Sequence, residues 1–138
     1  MEILGQSDLL FCNENEAKAI AKCEDSDEAI NIISKICPNV VMTKGKNGAK
    51  VFFNNKSYDF EACPTEVIDT TGAGDMFAGA FLFGLLNYDK FVKNTDASNL
   101  EDKINFSGKL ASKASSIIVS QLGARYTGEF DKIIQNIL

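Results

Sequence analysis

The stretch Asp69-Thr70-Thr71-Gly72-Ala73-Gly74-Asp75-Met76-Phe77 combines residue types that can hold an anion with one that can move a proton. Gly72 and Gly74 permit φ > 0 and let a ligand reach the backbone without meeting a Cβ. A helix opening here would leave its first amides without intrahelical partners, at the positive end of the helix dipole, a place that suits phosphate. Asp75 runs against that, because a carboxylate beside a phosphate site repels its ligand. Such a residue is tolerated where it takes a proton from a hydroxyl that attacks phosphorus. The plainer reading makes Asp75 a first-turn acid, with Thr70 or Thr71 as N-cap.

Composition narrows the chemistry. The 138 residues contain no histidine, which removes Ser-His-Asp and Cys-His nucleophiles and most zinc sites. Acid–base work must fall to carboxylates, lysines, tyrosines or water. Cys12, Cys23, Cys37 and Cys63 form no Cys-x-x-Cys pair, and they read as free thiols in a reducing compartment. A net charge of −5 with no basic stripe argues against a nucleic-acid surface. No apolar run is long enough for a bilayer, and residues 1–8 lack a basic leader, so a cytoplasmic protein without membrane contact is expected. At 45% hydrophobic and 24% charged, the length suits a single domain over 1–138.

The elements that must position this loop follow from hydrophobic spacing. Residues 8–12 read as a buried strand, and Asn13 with Glu16 as a capping box that opens a helix carrying Ala17, Ile20 and Ala21. Ser26 or Asp27 caps a second helix with a stripe of Ala29, Ile30, Ile32, Ile33 and Ile36, ended by Pro38. Residues 40–43 predict a fully buried strand, and Asn54-Asn55 a two-residue hairpin between residues 49–53 and 56–60. Residues 66–68 are the strand entering the glycine loop. Residues 76–86 predict a helix apolar almost all round, with Gly79 and Gly84 marking close backbone packing. Residues 87–99 read as a surface connection. A long helix starts at Asp102 and exits through Gln121-Leu122-Gly123-Ala124-Arg125, with Gly123 at C′, and a short helix over 129–138 closes the chain. Strands alternating with helices predict an α/β fold, three-layer α/β/α with a mostly parallel sheet, whose ligands sit beyond the strand carboxyl ends.

Asp69-Thr70-Thr71-Gly72-Ala73-Gly74-Asp75 followed by Phe77 resembles the C-terminal signature of the ribokinase-like, phosphofructokinase-B-type sugar and nucleoside kinases. Asn13-Glu14-Asn15-Glu16 resembles that family's Asn-x-x-Glu motif, and Thr43-Lys44-Gly45 is placed like its Thr-x-Gly. Lys44 follows no Gly-x-x-x-x-Gly, so a P-loop kinase is rejected. The stretch 8–16 and the exit 121–125 look most like the adenosine-kinase-related branch, while Thr71 keeps ribose, fructose and related sugars open.

The resemblance implies a ribokinase-like fold and ATP-dependent phosphoryl transfer to a hydroxyl of a small-molecule sugar or nucleoside. Asp75 would be the base, and the amides of Gly72, Ala73 and Gly74 an anion hole. Asn13 and Glu16 would hold Mg²⁺ through its waters; for these two, helix capping alone is the competing account. Thr43 and Gly45 would border the nucleotide. Ser112 and Gly123 would wall its base, although small residues on that helix also suit plain packing. Asp69 and Thr71 would form a K⁺ site. The match corresponds only to the C-terminal, nucleotide-binding half of such kinases, so the N-terminal half with most substrate contacts and the lid is expected to be missing here. A catalytically silent nucleotide- or anion-binding module derived from that fold is the alternative. Oligomeric state is left open.

Overall fold

The computed structural model describes residues 2–92, 99–121, 123 and 130–138. The chain divides into two compact units, Met1–Glu61 and Ala62–Leu138.

The first unit is a four-stranded sheet in the order β1 (Leu10–Asn13), β2 (Val40–Thr43), β3 (Ala49–Phe53), β4 (Lys56–Phe60), with helices α1 (Glu14–Ala21) and α2 (Ser26–Ser34) between β1 and β2. The two helices allow β1 and β2 to run parallel, with Leu10 opposite Val40 and Asn13 opposite Thr43. The remaining pairs are antiparallel. The sheet is therefore mixed rather than mostly parallel. Residues 44–48 are too few for a crossover, and the Asn54-Asn55 turn, with φ of 50° and 62°, forms the expected hairpin.

Ala17, Ala29, Ile30 and Ile33 of the helices bury against Cys12, Val40 and Met42, with Leu10, Ile20 and Phe52 at the margin. Val41 and its cross-strand partner Val51 are buried too, so β2 is apolar on both faces, as its unbroken apolar run predicts. Asn39 ties the sheet entry together: its Nδ2 donates to Asp8 O at 2.7 Å, and its Oδ1 accepts from Asn54 N at 3.1 Å. The α2 cap is Asp25, one residue earlier than expected, whose Oδ1 accepts from Glu28 N at 2.8 Å. Lys50 on β3 reaches Asp27 of α2 at 2.7 Å, a pairing with no local sequence signal. That hydrogen bond raises the Lys50 pKa and lowers that of Asp27.

Cys12 and Cys37 are buried, whereas Cys23 and Cys63 are half-buried. Burial, then the nearby Glu16 charge, then Cys37, push the Cys12 thiol up to about 11. A thiol reagent at pH 8 should therefore label Cys23 and Cys63 well before Cys12, which reacts only after unfolding. Since the folded pKa lies above the unfolded one, the native state holds this proton more tightly. Stability from this group is present below pH 9 and is lost as pH rises from about 9 to about 11. Equal labelling of all four thiols in the native protein would refute this core.

The second unit holds α3 (Ala73–Phe91), α4 (Leu100–Val119) and α5 (Phe130–Ile137). α3 and α4 run antiparallel: Ser115 Oγ donates to Ala73 O at 3.2 Å, and Tyr88 meets Phe106 edge-on with centroids 5.5 Å apart. α3 starts three residues before the expected position and continues through residues 87–91, where Asn87 Nδ2 donates to Phe83 O instead of breaking the helix. α4 begins at Leu100, capped by Asn99, whose Oδ1 accepts from Glu101 N. It ends at Val119 with Ser120 as C-cap, so Gly123 (φ 83°) lies beyond C′.

Residues 66–68 are not a strand. Among the described residues no strand takes up their amides; Ile68 N and Asp69 N both donate to Val119 O, at 2.7 and 3.1 Å, and Val67 and Ile68 stay exposed. α3 is not buried all round either: Leu86 is 79% exposed. Residues 93–98, Leu122, Ala124, Arg125 and Glu129, included in the expected connection, helix exit and closing helix, lie outside the described residues. Among the described residues no helix is long and apolar enough to cross a membrane.

Candidate active site

The glycine loop does open a helix. Gly72 is the N-cap of α3, left-handed at φ 76°, and it supplies no side-chain cap, nor does Thr70 or Thr71. Ala73 N donates to Thr70 O at 3.2 Å, and Met76 N makes the first full helical bond, to Gly72 O at 2.9 Å. Between them the N–H groups of Gly74 and Asp75 have no acceptor among the described residues, and neither has that of Gly72. These are the orphan donors that every helix start presents, here without a capping side chain. Of the three amides expected to bind an anion, that of Ala73 is engaged within the loop and the other two are bare.

Asp75 is exposed in the first turn, and its carboxylate makes no hydrogen bond or ion pair among the described residues. Gly74 beside it has no conformational need to be glycine: its φ is not left-handed, and a Cβ there would meet nothing within 4 Å. Glycine in a helix is less stable than alanine by about 1 kcal/mol, so folding of this chain gives no reason for it.

In the first unit, Asn13 and Thr43 are register partners at the carboxyl ends of β1 and β2, which brings the Asn13–Glu16 and Thr43–Gly45 turns to one sheet edge. The capping box is complete: Asn13 Oδ1 accepts from Glu16 N at 2.8 Å, and Glu16 Oε2 accepts from Asn13 N at 2.9 Å. Glu16 is exposed, with Oε1 unpartnered among the described residues, so capping occupies only half of its carboxylate. Gly45 opens a short 3-10 turn at φ 54°, a left-handed value that an L side chain rarely adopts. Among the described residues no three His, Cys, Asp or Glu side chains cluster as a metal cage. A half-engaged, hydrated carboxylate does suit an ion that keeps its waters and takes most ligands from phosphate, as Mg²⁺ does.

Asp69 lies on the approach to α3, where its Oδ1 accepts from Thr71 N at 2.9 Å and its Oδ2 from Gly123 N at 3.2 Å. The Thr71 hydroxyl, then the Thr71 and Gly123 N–H groups, hold its carboxyl below the usual range. Asp-x-Thr is a readable local turn signal. The Gly123 bond has none, and neither has the tie from Ser115 to the first carbonyl of α3. Ser112, on α4, is buried, and its Oγ has no partner among the described residues. The site residues thus fall into two groups: Asn13, Glu16, Thr43 and Gly45 in the first unit, and Asp69, Thr71 and Gly72–Asp75 with Gly123 and Ser112 in the second.

The model of the pfkB family carbohydrate kinases matches residues 1–130. The chain is 34% identical over 130 residues to a ribokinase of Staphylococcus aureus (strain COL), covering 90% of this chain and 39% of that protein. It superimposes on the adenosine kinase from Sinorhizobium meliloti with a TM-score of 0.79 and 29% identity, over 99% of this chain and 40% of that one. A double mutant of fructokinase from Vibrio cholerae O395, solved with fructose, ADP and potassium ion bound, gives a TM-score of 0.74 at 28% identity over 90% of this chain and 38% of that one. The chain therefore spans about two fifths of the length of the relatives it matches, over most of its own, and it belongs to the pfkB family of carbohydrate kinases.

Proposed function

We propose that this chain is the nucleotide-binding and catalytic part, one domain over 1–138, of an ATP-dependent phosphotransferase acting on a hydroxyl of a sugar or nucleoside. The observation that carries the reading is Asp75: an exposed carboxylate without a partner among the described residues, beside helix-tip amides equally free of one there, next to a glycine that the fold does not require. In the proposed step the acceptor oxygen attacks the γ-phosphorus of ATP and its proton passes to the Asp75 carboxylate. The bond from the γ-phosphorus to the bridging oxygen breaks, and ADP leaves with the electron pair. The N–H groups of Gly72 and Gly74, with that of Ala73 if Thr70 O releases it, stabilise charge on the transferred group.

Asn13 and Glu16 would hold waters of Mg²⁺, which supplies positive charge against the phosphates. Thr43 and Gly45 border the nucleotide, and Ser112 and Gly123 line its base. Asp69 and Thr71 are candidate K⁺ ligands, a role supported by the potassium ion in the fructokinase and qualified by the amides already on Asp69. The substrate class follows the relatives, among them ribokinase and adenosine kinase. A cytoplasmic protein without nucleic-acid or membrane partners fits this chemistry.

The test supplies ATP, Mg²⁺ and a panel of sugars and nucleosides to the chain. Phosphorylated product supports the kinase reading. ADP binding with no product from any acceptor supports the silent binding module. Gly74→Ala is a sharper probe of the helix tip. Its Cβ meets nothing within 4 Å among the described residues, so stability should hold or rise by up to about 1 kcal/mol. Affinity for a non-hydrolysable ATP analogue should fall at least several-fold, because the methyl group stands where the γ-phosphate approaches. Unchanged affinity in a stable Gly74→Ala protein would remove the anion from this tip.

A further inference from the structure

We infer that Asp69 is a positioning residue for the proposed transfer, its carboxylate tying the loop that enters α3 to the turn that leaves α4 so that the bare amides of Gly74 and Asp75 are held from α4. This rests on the functional reading above only for its consequence; the tie itself is geometric.

Three observations converge. The two carboxylate oxygens bond in two directions, Oδ1 to Thr71 N within the entry loop and Oδ2 to Gly123 N beyond α4. The preceding peptide is hung on the same helix end, since Val119 O accepts from both Ile68 N and Asp69 N. Apolar burial does not anchor this segment, because Val67 is 60% and Ile68 56% exposed. The loop therefore takes its position from polar bonds to the end of α4. Hydrogen bonds to a charged acceptor are stronger than those between neutral groups, and both oxygens of Asp69 are engaged, so Asp69 shares in that anchorage. From there the path to the tip is short: Thr71 is held by Oδ1, Gly72 turns left-handed, and Ala73 N bonds Thr70 O to open the helix.

This role differs from that of a cation ligand. A K⁺ ligand at Asp69 matters only when K⁺ is present, whereas a tie through amides acts without any ion. Asp69→Ala removes both acceptors. Asp69→Asn keeps one oxygen for Thr71 but turns an N–H donor toward the Gly123 N–H. Amide spectra and hydrogen exchange of the whole chain, in buffer whose only monovalent cation is a bulky organic ammonium, read the tie directly.

In Asp69→Ala, the Thr71 and Gly123 amides should exchange at least tenfold faster, and the Gly74 and Asp75 resonances should shift as well. Affinity for a non-hydrolysable ATP analogue, by calorimetry, should fall about tenfold, the equivalent of about 1.4 kcal/mol. Asp69→Asn should reproduce the Gly123 and helix-tip changes with a smaller one at Thr71, and it serves if the alanine protein does not fold. Asp27→Asn, in the other unit, should move none of these. Unchanged Gly74 and Asp75 resonances beside faster exchange at Thr71 and Gly123 would overturn the inference, as would a helix-tip shift seen only with K⁺ present. If the unmodified chain does not bind that analogue, the functional reading fails, while the tie is still decided by the Gly74 and Asp75 amides.

Discussion

Asp75→Asn should lower product formation by roughly 10² to 10⁴, the range that a positioned general base contributes, while ADP binds at least as tightly as to the unmodified chain. The asparagine amide has the shape of the carboxylate but no basic oxygen to take the acceptor's proton. The carboxylate makes no hydrogen bond or ion pair among the described residues, so the substitution leaves no buried group among them unpaired. Removing a negative charge from beside a phosphate site favours the nucleotide, by about 1 kcal/mol or less at exposed positions.

The plainer account of Asp75 as a first-turn acid makes a different forecast. An acidic residue at a helix start contributes about 0.3–1 kcal/mol of stability by its interaction with the dipole. On that account Asp75→Asn loses up to about 1 kcal/mol and changes neither turnover nor binding. Single-turnover phosphorylation, ADP calorimetry and urea unfolding on the same two proteins separate the accounts. Equal rates from both proteins would leave Asp75 a helix-dipole residue only.

The sequence was most legible where the determining interaction is local. The Asn13–Glu16 capping box, the Asn54-Asn55 hairpin and the left-handed Gly72 before α3 each depend on bonds within three or four residues, so residue type and spacing suffice. The errors fall where the partner is distant. Residues 66–68 have the composition of a strand, yet a strand exists only by pairing, and the acceptor their amides find is Val119 at a helix end. The links from Lys50 to Asp27 and from Asp69 to Gly123 join residues far apart in the chain, and neither side carries a mark of the other. The candidate site divides in the same way. Its glycine loop and exposed carboxylate could be read directly, while the bonds that fix the loop could not.

Gly84→Ala should cost about 2 kcal/mol in urea unfolding, whereas Gly79→Ala in the same helix should gain up to about 1 kcal/mol. Hydrophobic pattern alone assigns both glycines to close packing, but only Gly84 is packed. A Cβ at Gly84 would lie 2.7 Å from Ser107 Oγ, 2.8 Å from Ser107 Cα and 3.0 Å from Ser107 Cβ. The hydroxyl has little freedom to swing away, because it donates to Lys103 O at 2.6 Å. The α-carbon of Ser107 is backbone and moves only with its helix. α3 and α4 would have to separate, loosening the Tyr88–Phe106 and Phe91–Phe106 ring pairs along the same seam. Overpacking of this kind costs typically about 1–3 kcal/mol, and alanine's better helix propensity offsets only part of it. Gly79 is exposed, and a Cβ there meets nothing within 4 Å, so alanine brings only its helix propensity. Adding Ser107→Gly to Gly84→Ala removes the clashes with the hydroxyl and Cβ but leaves the backbone of residue 107 in the way, so recovery should be partial. Should the two single variants change stability by the same amount and sign, the close approach of α3 to α4 at Gly84 is wrong. With it would go the antiparallel seating that sets the start of α3, and with that Asp75, against Ser115.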